Sequence, residues 1–182
     1  MSSFINPWRT LTSSLKYGNK WFSVREDNVI RPDGERGTYS VVTAGRTATG
    51  IVPVWPDGSV TLVGQFRYAV NEYSWEIPEG GGEVGIDPIE IAKQELREET
   101  GIRAGTWRFL GRVHTSNCFV DEVGYVYLAT DLAPGIAEPD PDEVLQTQRV
   151  PFDQALAMAR DGSITDAISL AGLFWASCLL QR

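Results

Sequence analysis

The chain has 182 residues, of which 42% are hydrophobic, and its formal net charge is −8 at pH 7. These values predict a globular protein with a single core and exclude a general nucleic-acid binder, which needs a basic surface. We find no apolar run of about 18 residues and no secretory signal in MSSFINPWRT, so we expect no membrane association. Cys118 and Cys178 lie far apart and indicate free thiols in a reducing compartment, so we expect a cytoplasmic protein.

The first part of the chain is predicted to be mostly β-structure. Residues 21–30 alternate in polarity, and the turn sequence RPDG at 31–34 leads to GTYSVVT, so we expect an N-terminal β-hairpin. TATGIVPVW and SVTLVGQFRY, joined by Pro56-Asp57-Gly58, predict a second hairpin. Because this second hairpin is apolar on both faces, we expect it in the middle of a covered sheet.

Residues 80–102, GGGEVGIDPIEIAKQELREETGI, predict a glycine-rich loop followed by a helix with well-defined ends. Asp87 is a good N-cap, Pro88 suits the first helical position, and Glu90 stands three residues after the cap, as in a capping box. Gly101 supplies the left-handed residue that ends a helix. The stretch is the strongest local signal in the chain.

Three glutamates share one side of this helix. At about 100° per residue, Glu98 and Glu99 lie within about 60° of Glu95, beside apolar residues. The residues of the opposite, solvated side are Glu90, Lys93, Arg97 and Thr100. Because neighbouring carboxylates repel each other beside apolar groups, the pattern favours a divalent cation with oxygen ligands, Mg²⁺ or Mn²⁺. The alternative is that the glutamates only form a solvated face.

The rest of the chain adds strands and two helices. Strands are predicted at 107–115 and 123–130, followed by a proline-rich acidic loop. The next helix ends at Gly162, and the last begins near Asp166 with Thr165 as its cap. This order predicts a mixed sheet covered by helices, α/β or α+β by convention.

The stretch 80–102 resembles the signature of Nudix hydrolases, in which a glycine precedes an Arg-Glu-apolar-any-Glu-Glu segment and a second glycine. The positions that fit are Gly80, Glu95, Leu96, Glu98, Glu99, Gly101 and Ile102. Two positions depart, because Ile86 replaces a glutamate and Gln94 replaces the arginine. Since two opposite charges are lost together, we interpret the departures as a compensated change. QFRY, WEIPEG and the C-terminal run DGSITDAISLAGLFWA are similar to segments of the ADP-ribose and nucleoside-diphosphate-sugar pyrophosphatases of this family.

The resemblance implies an α/β/α sandwich with a mixed sheet. It implies a small N-terminal arm and β-hairpin extension at residues 1–45 and a Nudix catalytic domain at residues 46–182. The implied reaction is hydrolysis of a nucleoside diphosphate sugar, such as ADP-ribose, to a nucleoside monophosphate and a sugar phosphate. A homodimer is implied as well, with the hairpin as a candidate exchange element. The alternatives are a degenerate Nudix domain that senses a nucleotide, or a hydrolase of another nucleotide.

The resemblance also implies a metal site and a general base. The metal ligands would be the backbone carbonyl of Glu79 and the carboxylates of Glu95 and Glu99, with Glu98 as a supporting ligand and catalytic carboxylate. The base would come from the acidic loop, where Glu143 is our candidate. The other candidate bases are Asp142 and Glu138. Weaker metal-ligand candidates are Asp121 and Glu122.

Four residues are candidates for substrate binding. Arg67 ends a strand that is aimed toward the box, and its guanidinium suits a diphosphate through bidentate contacts. Trp75 and Trp21 are candidates for stacking on the base, and Glu76 for contact with sugar hydroxyls. The alternatives are a surface arginine at a sheet edge, aromatic residues of the core, and a glutamate that points outwards.

Overall fold

The computed structural model describes residues 5–181, which form three helices and ten strands. The helices are α1 (Pro88–Thr100), α2 (Phe152–Asp161) and α3 (Ala167–Leu180). The strands are β1 (Arg9–Gly18), β2 (Phe22–Ile30), β3 (Arg36–Ala44), β4 (Arg46–Pro53), β5 (Ser59–Arg67), β6 (Glu72–Glu76), β7 (Glu79–Glu83), β8 (Arg103–His114), β9 (Val123–Ala133) and β10 (Gln146–Pro151). No helix of residues 5–181 has the length and apolar character needed to cross a membrane.

The described chain divides into two compact units. The N-terminal unit contains the residues up to 46 and the segment 116–122. The second unit contains residues 47–115 and the chain from residue 123 onwards.

The N-terminal unit is a three-stranded antiparallel sheet in the order β1-β2-β3. The predicted hairpin is its β2–β3 pair, and Gly34 takes a φ of 88° in the connecting turn. The predicted hairpin is confirmed, and β1, which was not predicted from the sequence, adds a third strand. All ten residues of β1 are exposed. Since neither face of β1 is buried, it lacks the apolar alternation that reveals a strand.

The segment 116–122 extends this small sheet beside β3. The Val42 N–H donates to the Phe119 carbonyl at 2.7 Å, and the Asp121 N–H donates to the Val42 carbonyl at 3.1 Å. The Asp121 carboxylate accepts a hydrogen bond from the Ala44 N–H at 2.9 Å. Asp121 therefore makes a structural contact here, and its role as a metal ligand stays a prediction.

The second unit contains two sheets, ordered β7-β4-β9-β8 and β10-β5-β6. The first sheet is mixed, because β4 is parallel to β9 and β8 is antiparallel to β9. The predicted β4–β5 hairpin was wrong, since the two strands join different sheets and share only the bridge Val54–Val60. A strand covered on both faces needs partners at both edges, and β4 and β5 each find those partners elsewhere in the chain.

Helices cover both faces of the four-stranded sheet. Ile51 and Val52 are neighbours in β4 and point to opposite faces. Ile51 lies in a cluster with Ala92 and Leu96 of α1, whereas Val52 lies in the main core with residues of α2 and α3. This arrangement confirms the predicted α/β/α sandwich.

Local sequence signals predicted the ends of α1 correctly. The Asp87 carboxylate accepts the Ile89 N–H at 3.2 Å, and Gly101 takes a φ of 73°. The predicted capping box is replaced by an ion pair, because Glu90 accepts from the Lys93 ammonium at 2.7 Å. The helix therefore relies on Asp87 at its start and on Gly101 at its end.

The ends of α2 and α3 follow the same rules with one correction. Gly162 ends α2 with a φ of 83°, as predicted. The cap of α3 is Asp166 and not Thr165, because the Asp166 carboxylate accepts the Ser169 N–H at 2.7 Å. Both residues are good caps, so the sequence alone did not decide between them.

Candidate active site

The glycine-rich stretch before α1 is a strand, β7, rather than the loop that the sequence predicted. A side chain on Gly80 would overlap the Glu95 carboxylate, and a Cβ on Gly82 would lie 2.5 Å from Cγ1 of Ile91. The absence of a side chain at these two positions leaves room for the Glu95 carboxylate and the Ile91 side chain of α1 against the backbone of β7. This contact places the Glu95 carboxylate against the box glycine.

Glu99 is the most deeply placed of the three box glutamates, with 3% of its surface exposed. Its carboxylate accepts the Glu79 N–H at 3.0 Å. Burial, together with the charge of Glu95, raises the pKa of Glu99 to about 9. Glu99 consequently holds a proton at neutral pH unless a cation replaces that proton.

The two sides of α1 differ as the sequence predicted. Glu99 is buried, Glu95 and Glu98 are half-buried, and Lys93 and Arg97 are exposed. Thr100 was assigned to the solvated side but is half-buried, and its hydroxyl donates to the Leu96 carbonyl. A threonine near a helix end satisfies its hydroxyl in this way through the preceding turn.

Glu98 is held by neighbours on its own helix. Its carboxylate accepts from the Gln94 side-chain amide at 3.1 and 3.2 Å and lies 3.4 Å from the Arg97 guanidinium. Gln94 thus contacts a box glutamate although it replaces the arginine of the pattern. Ile86 is 46% exposed and Gln94 is also exposed, so neither departure strands a charge inside the protein. Both departures from the family pattern are tolerated because Ile86 and Gln94 are exposed. The compensated loss of a semi-buried charge pair is not needed to explain them.

Arg67 lies between two carboxylates. Its Nε donates to both oxygens of Glu76 at 3.0 and 3.1 Å, and one terminal nitrogen donates to Glu76 and to Glu79, the latter at 2.7 Å. Glu76 is only 3% exposed. The predicted bidentate contact of Arg67 with a diphosphate, and of Glu76 with sugar hydroxyls, would therefore require this ion pair to open.

Glu79 contributes a second buried carboxylate. Its Oε2 is buried and has no hydrogen-bond partner. Burial, together with the charges of Asp166 and Glu76, raises the pKa of Glu79 well above its ordinary value. Sequence reasoning missed Asp166 as a neighbour of this group, although its position at the start of α3 was predicted. One arginine therefore faces several carboxyl groups, and their mutual repulsion favours the protonated form of Glu79.

The acidic loop between β9 and β10 brings Glu143 to the site. The negative charge of Glu143 contributes to the raised pKa of Glu99, and Arg67 lowers the pKa of Glu143. Burial outweighs Arg67, so the pKa of Glu143 is raised overall. The Glu143 N–H donates to the Asp140 carbonyl at 2.9 Å, which forms a tight turn around the carboxylate. Glu143 therefore lies within electrostatic reach of both Glu99 and Arg67.

The other two loop carboxylates are placed differently. Glu138 is exposed, and its backbone N–H donates to the Glu98 carbonyl at 2.8 Å. Asp142 is exposed and acts on Glu143 only through its charge. Glu143 is exposed as well, and it differs from the other two because its charge interacts with Glu99 and with Arg67.

The two candidate tryptophans have different surroundings. Trp75, on β6, is half-buried, packs against the main core and meets Tyr73 edge to face at 5.8 Å between ring centres. Trp21 belongs to the N-terminal unit and is 50% exposed. The Lys20 ammonium lies 4.5 Å from its ring centre, and the Arg46 guanidinium lies 5.1 Å from it. Trp21 therefore offers an open ring with cations beside it, whereas Trp75 is partly a core residue.

The donor atoms of this site suit a divalent cation in their chemistry. Carboxylate oxygens of Glu95 and Glu99 and the carbonyl of Glu79 are hard ligands of the kind that Mg²⁺ and Mn²⁺ prefer. Within residues 5–181, no three histidine, cysteine or acidic side chains are already gathered as a metal-binding group. A complete ligand set therefore requires carboxylates such as Glu98 to leave their present hydrogen bonds.

Comparison with known proteins identifies the family. The NUDIX domain matches residues 45–169, and the nucleoside diphosphate sugar hydrolase N-terminal domain matches residues 8–42. The chain belongs to the NUDIX family. The predicted Nudix hydrolase of the nucleoside diphosphate sugar class is thereby confirmed.

Individual NUDIX relatives are similar over most of the chain. The ADP-ribose pyrophosphatase of Mycobacterium tuberculosis (strain ATCC 25618 / H37Rv) is 33% identical over 169 residues, which are 91% of this chain and 81% of the relative. The ADP-ribose pyrophosphatase of Bacillus subtilis (strain 168) is 29% identical over 161 residues, 87% of this chain and 86% of the relative. A crystal structure of an ADP compounds hydrolase superposes with a TM-score of 0.86 at 23% identity, covering 99% of this chain and 97% of that chain. The last comparison establishes the fold.

Proposed function

We propose that this NUDIX protein hydrolyses the diphosphate bond of ADP-ribose or a closely similar nucleoside diphosphate sugar. The products would be a nucleoside monophosphate and a sugar phosphate. The observation that carries the proposal is the geometry of the box glutamates, with the Glu99 carboxylate on the Glu79 N–H and the Glu95 carboxylate against Gly80. The names of the two similar pyrophosphatases support ADP-ribose as the first substrate to test.

The cation of the proposed reaction is Mg²⁺ or Mn²⁺. Glu95, Glu99 and the Glu79 carbonyl would hold it, with Glu98 as a supporting ligand. When bound, such an ion neutralises a diphosphate and lowers the pKa of a bound water molecule. Glu99 would lose its proton when it binds the ion. The Glu79 N–H would still orient the Glu99 carboxylate.

Glu143 is the proposed general base. Glu143 is exposed, yet partial loss of hydration raises the pKa of its carboxylate, which makes it a stronger base than an unperturbed glutamate. Its loop can deliver the carboxylate to a water molecule beside the box glutamates, and Arg67 offsets part of the rise in its pKa. Proton removal from the attacking water is therefore assigned to Glu143.

Substrate binding is proposed to use Arg67, Glu76, Trp75 and Trp21. Arg67 supplies a positive charge for the diphosphate once its pair with Glu76 opens, and Glu76 is then free to accept from sugar hydroxyls. Trp21 has the more exposed ring of the two tryptophans, and an exposed ring suits stacking on a base. Trp75 would serve as a wall of the site.

We also propose a homodimer in which residues 1–45 form the exchange element and residues 46–182 the catalytic domain. The support is the apolar surface of the N-terminal sheet, which a soluble monomer rarely exposes. The exposed apolar side chains of this sheet are Leu11, Leu15, Tyr17 and Phe22. The segment 116–122 pairs with β3, so it belongs structurally with the extension although it lies within the catalytic domain by sequence.

Three glutamine variants test the proposed metal site. We expect Glu95→Gln and Glu99→Gln each to lower kcat by about 10²-fold or more, because each removes a charged ligand. Glu90→Gln is the matched control, since Glu90 lies on the exposed side of the same helix, and its kcat should stay near that of the unaltered protein. Steady-state hydrolysis of ADP-ribose with Mg²⁺ measures kcat for all three variants. Full activity in both Glu95→Gln and Glu99→Gln would contradict the assignment of these glutamates as metal ligands.

A further inference from the structure

The segment of residues 76–80 leads from β6 into β7 and carries the Glu79 carbonyl. Its backbone is held at several successive groups. The Pro78 carbonyl accepts the Ile51 N–H at 2.8 Å, and the Gly80 carbonyl accepts the Thr49 hydroxyl at 3.4 Å. With the Glu79 N–H bound to Glu99, this segment is fixed on the sheet side and on the α1 side.

A third contact comes from α3. The Ser169 hydroxyl oxygen accepts the Ile77 N–H at 3.0 Å, and both residues have no exposed surface. Ser169 is itself fixed, because its own N–H donates to Asp166 at 2.7 Å. A buried N–H has no water to replace a lost acceptor, so this hydrogen bond determines where Ile77 can lie.

The helix comes close enough for this contact because small residues line the interface. A Cβ on Gly172 of α3 would lie 2.9 Å from Cδ1 of Ile77. A side chain on Gly50 of β4 would overlap Ile168, the residue before Ser169. The two glycines therefore allow the backbone of α3 to approach β4 and Ile77, and the Ser169 hydroxyl reaches a main-chain N–H as a result.

We propose that Ser169 is a positioning residue that sets the location of the Glu79 carbonyl. Only Pro78 separates Ile77 from Glu79, and the proline ring fixes the φ of that link. A displacement of Ile77 is consequently passed to Glu79 rather than absorbed between them. This inference rests on the proposed function, in which the Glu79 carbonyl is a ligand of the cation.

Ser169→Ala tests the inference with two readouts. The first is the affinity for Mn²⁺ without substrate, measured by electron paramagnetic resonance of the free ion. The second is the separate determination of kcat and KM for ADP-ribose. Loss of a hydrogen bond that orients a ligand typically costs 10- to 100-fold, so we expect Mn²⁺ affinity and kcat each to fall by about 10-fold. KM should change by less than about 3-fold on this scale, since Ser169 does not contact the substrate.

Matched variants separate positioning from general stability. Ser177→Ala removes a hydroxyl from the same helix that donates only to the Phe174 carbonyl on the exposed side, and it should leave both readouts unchanged. Ser169→Thr keeps the hydroxyl and should restore Mn²⁺ affinity. A Ser169→Ala protein with a lower melting temperature but unaltered Mn²⁺ affinity and kcat would overturn the proposal, because the hydroxyl would then only stabilise the fold.

A folding failure of Ser169→Ala would still leave a test. Ser169→Cys retains a similar volume with a weaker acceptor, and its Mn²⁺ affinity should fall below that of the unaltered protein. Unaltered affinity in Ser169→Cys would then contradict the positioning role. Absence of Mn²⁺ binding in the unaltered protein contradicts the proposed function instead, so the two failures are distinguishable.

Discussion

The buried carboxylates around Arg67 and Glu99 dominate the chemistry at the scale of single residues. Glu76 and Glu99 are buried, and Arg67 pairs with Glu76 and Glu79. Burial raises the pKa values of Glu79 and Glu99, and a bound cation would offset that cost. We therefore interpret the site as one that a bound cation would stabilise.

Glu99 makes the metal-free protein sensitive to pH. Its folded-state pKa of about 9 lies above the ordinary value of 4.5, so its protonated form stabilises the fold at low pH. That contribution is fully present below about pH 4.5 and is lost as the pH rises toward about 9. We expect the melting temperature in EDTA to fall by about 5 °C or more between pH 5 and pH 9.

Calorimetry of Glu99→Gln supplies the comparison for this pH dependence. The variant cannot ionise at position 99, so a shallower decline is expected in EDTA. Mg²⁺ should also raise the melting temperature of the unaltered protein more at pH 8.5 than at pH 6, because fewer protons compete for Glu99. Identical pH slopes in the variant and the unaltered protein would show that Glu99 is not the responsible group.

The box residues were predictable from the sequence because their signals are local. The helical period placed Glu95, Glu98 and Glu99 on one side, and the structure has them there. The ion pair between Arg67 and Glu76 was not predictable from the sequence. An arginine and a glutamate can each bind a ligand or bind each other, and here the pairing of two strands brings them together. Only the pairing of β5 with β6 reveals that contact.

At the scale of elements, the loop between β9 and β10 carries Glu143, the proposed general base. The loop is anchored at one point by the Glu138 N–H on the Glu98 carbonyl, at the end of α1. Beyond that anchor the turn at Asp140 presents Glu143. An anchored loop with a tight turn holds the exposed Glu143 carboxylate within electrostatic reach of Glu99.

Glu143→Gln tests the role of this loop in catalysis. We expect kcat to fall by roughly 10²- to 10⁴-fold with KM nearly unchanged, because a general base acts on the transition state. The deficit should shrink at high pH, where hydroxide replaces the base. Asp142→Asn and Glu138→Gln are the controls, and a severe loss in either one with an active Glu143→Gln would move the role to that residue.

Elements with local start and stop signals were predicted well, and elements defined by distant partners were not. Asp87 and Gly101 determine α1 through contacts within a few residues, so its bounds followed from the sequence. β4 pairs with β7 and β9, and β5 pairs with β6 and β10, so the turn between β4 and β5 favoured a hairpin that does not form. β7 was missed because its glycines suit a loop as well as a close contact with α1.

At the scale of the whole molecule, an acidic protein carries a site for an anionic substrate. The net charge of −8 repels a diphosphate at long range, so binding depends on a cation and on a few arginines. The N-terminal unit adds a second feature, an apolar sheet surface that is exposed in the single chain. These two features make cation binding and self-association the properties to measure on the intact protein.

The proposed dimer predicts a mass of about 40 kDa by light scattering, twice the chain mass of 20.1 kDa. Leu15 is exposed on β1, so Leu15→Glu should leave the chain folded and shift the mass toward that of a monomer. Ile136→Glu, at an exposed apolar residue of the second unit, is the control and should remain a dimer. A monomeric unaltered protein at micromolar concentration would contradict the proposal.

The most direct measurement is product analysis of a panel of nucleoside diphosphate sugars, including ADP-ribose, incubated with the protein and Mg²⁺ in ¹⁸O-labelled water. We expect a nucleoside monophosphate and a sugar phosphate, with one ¹⁸O atom in one of the two, because water attacks a phosphorus atom of the diphosphate. Glu143→Gln should abolish most of this labelled product at neutral pH. Tight binding of these compounds with Mg²⁺ or Mn²⁺ present, and all of them left intact, would contradict hydrolysis and identify a nucleotide sensor.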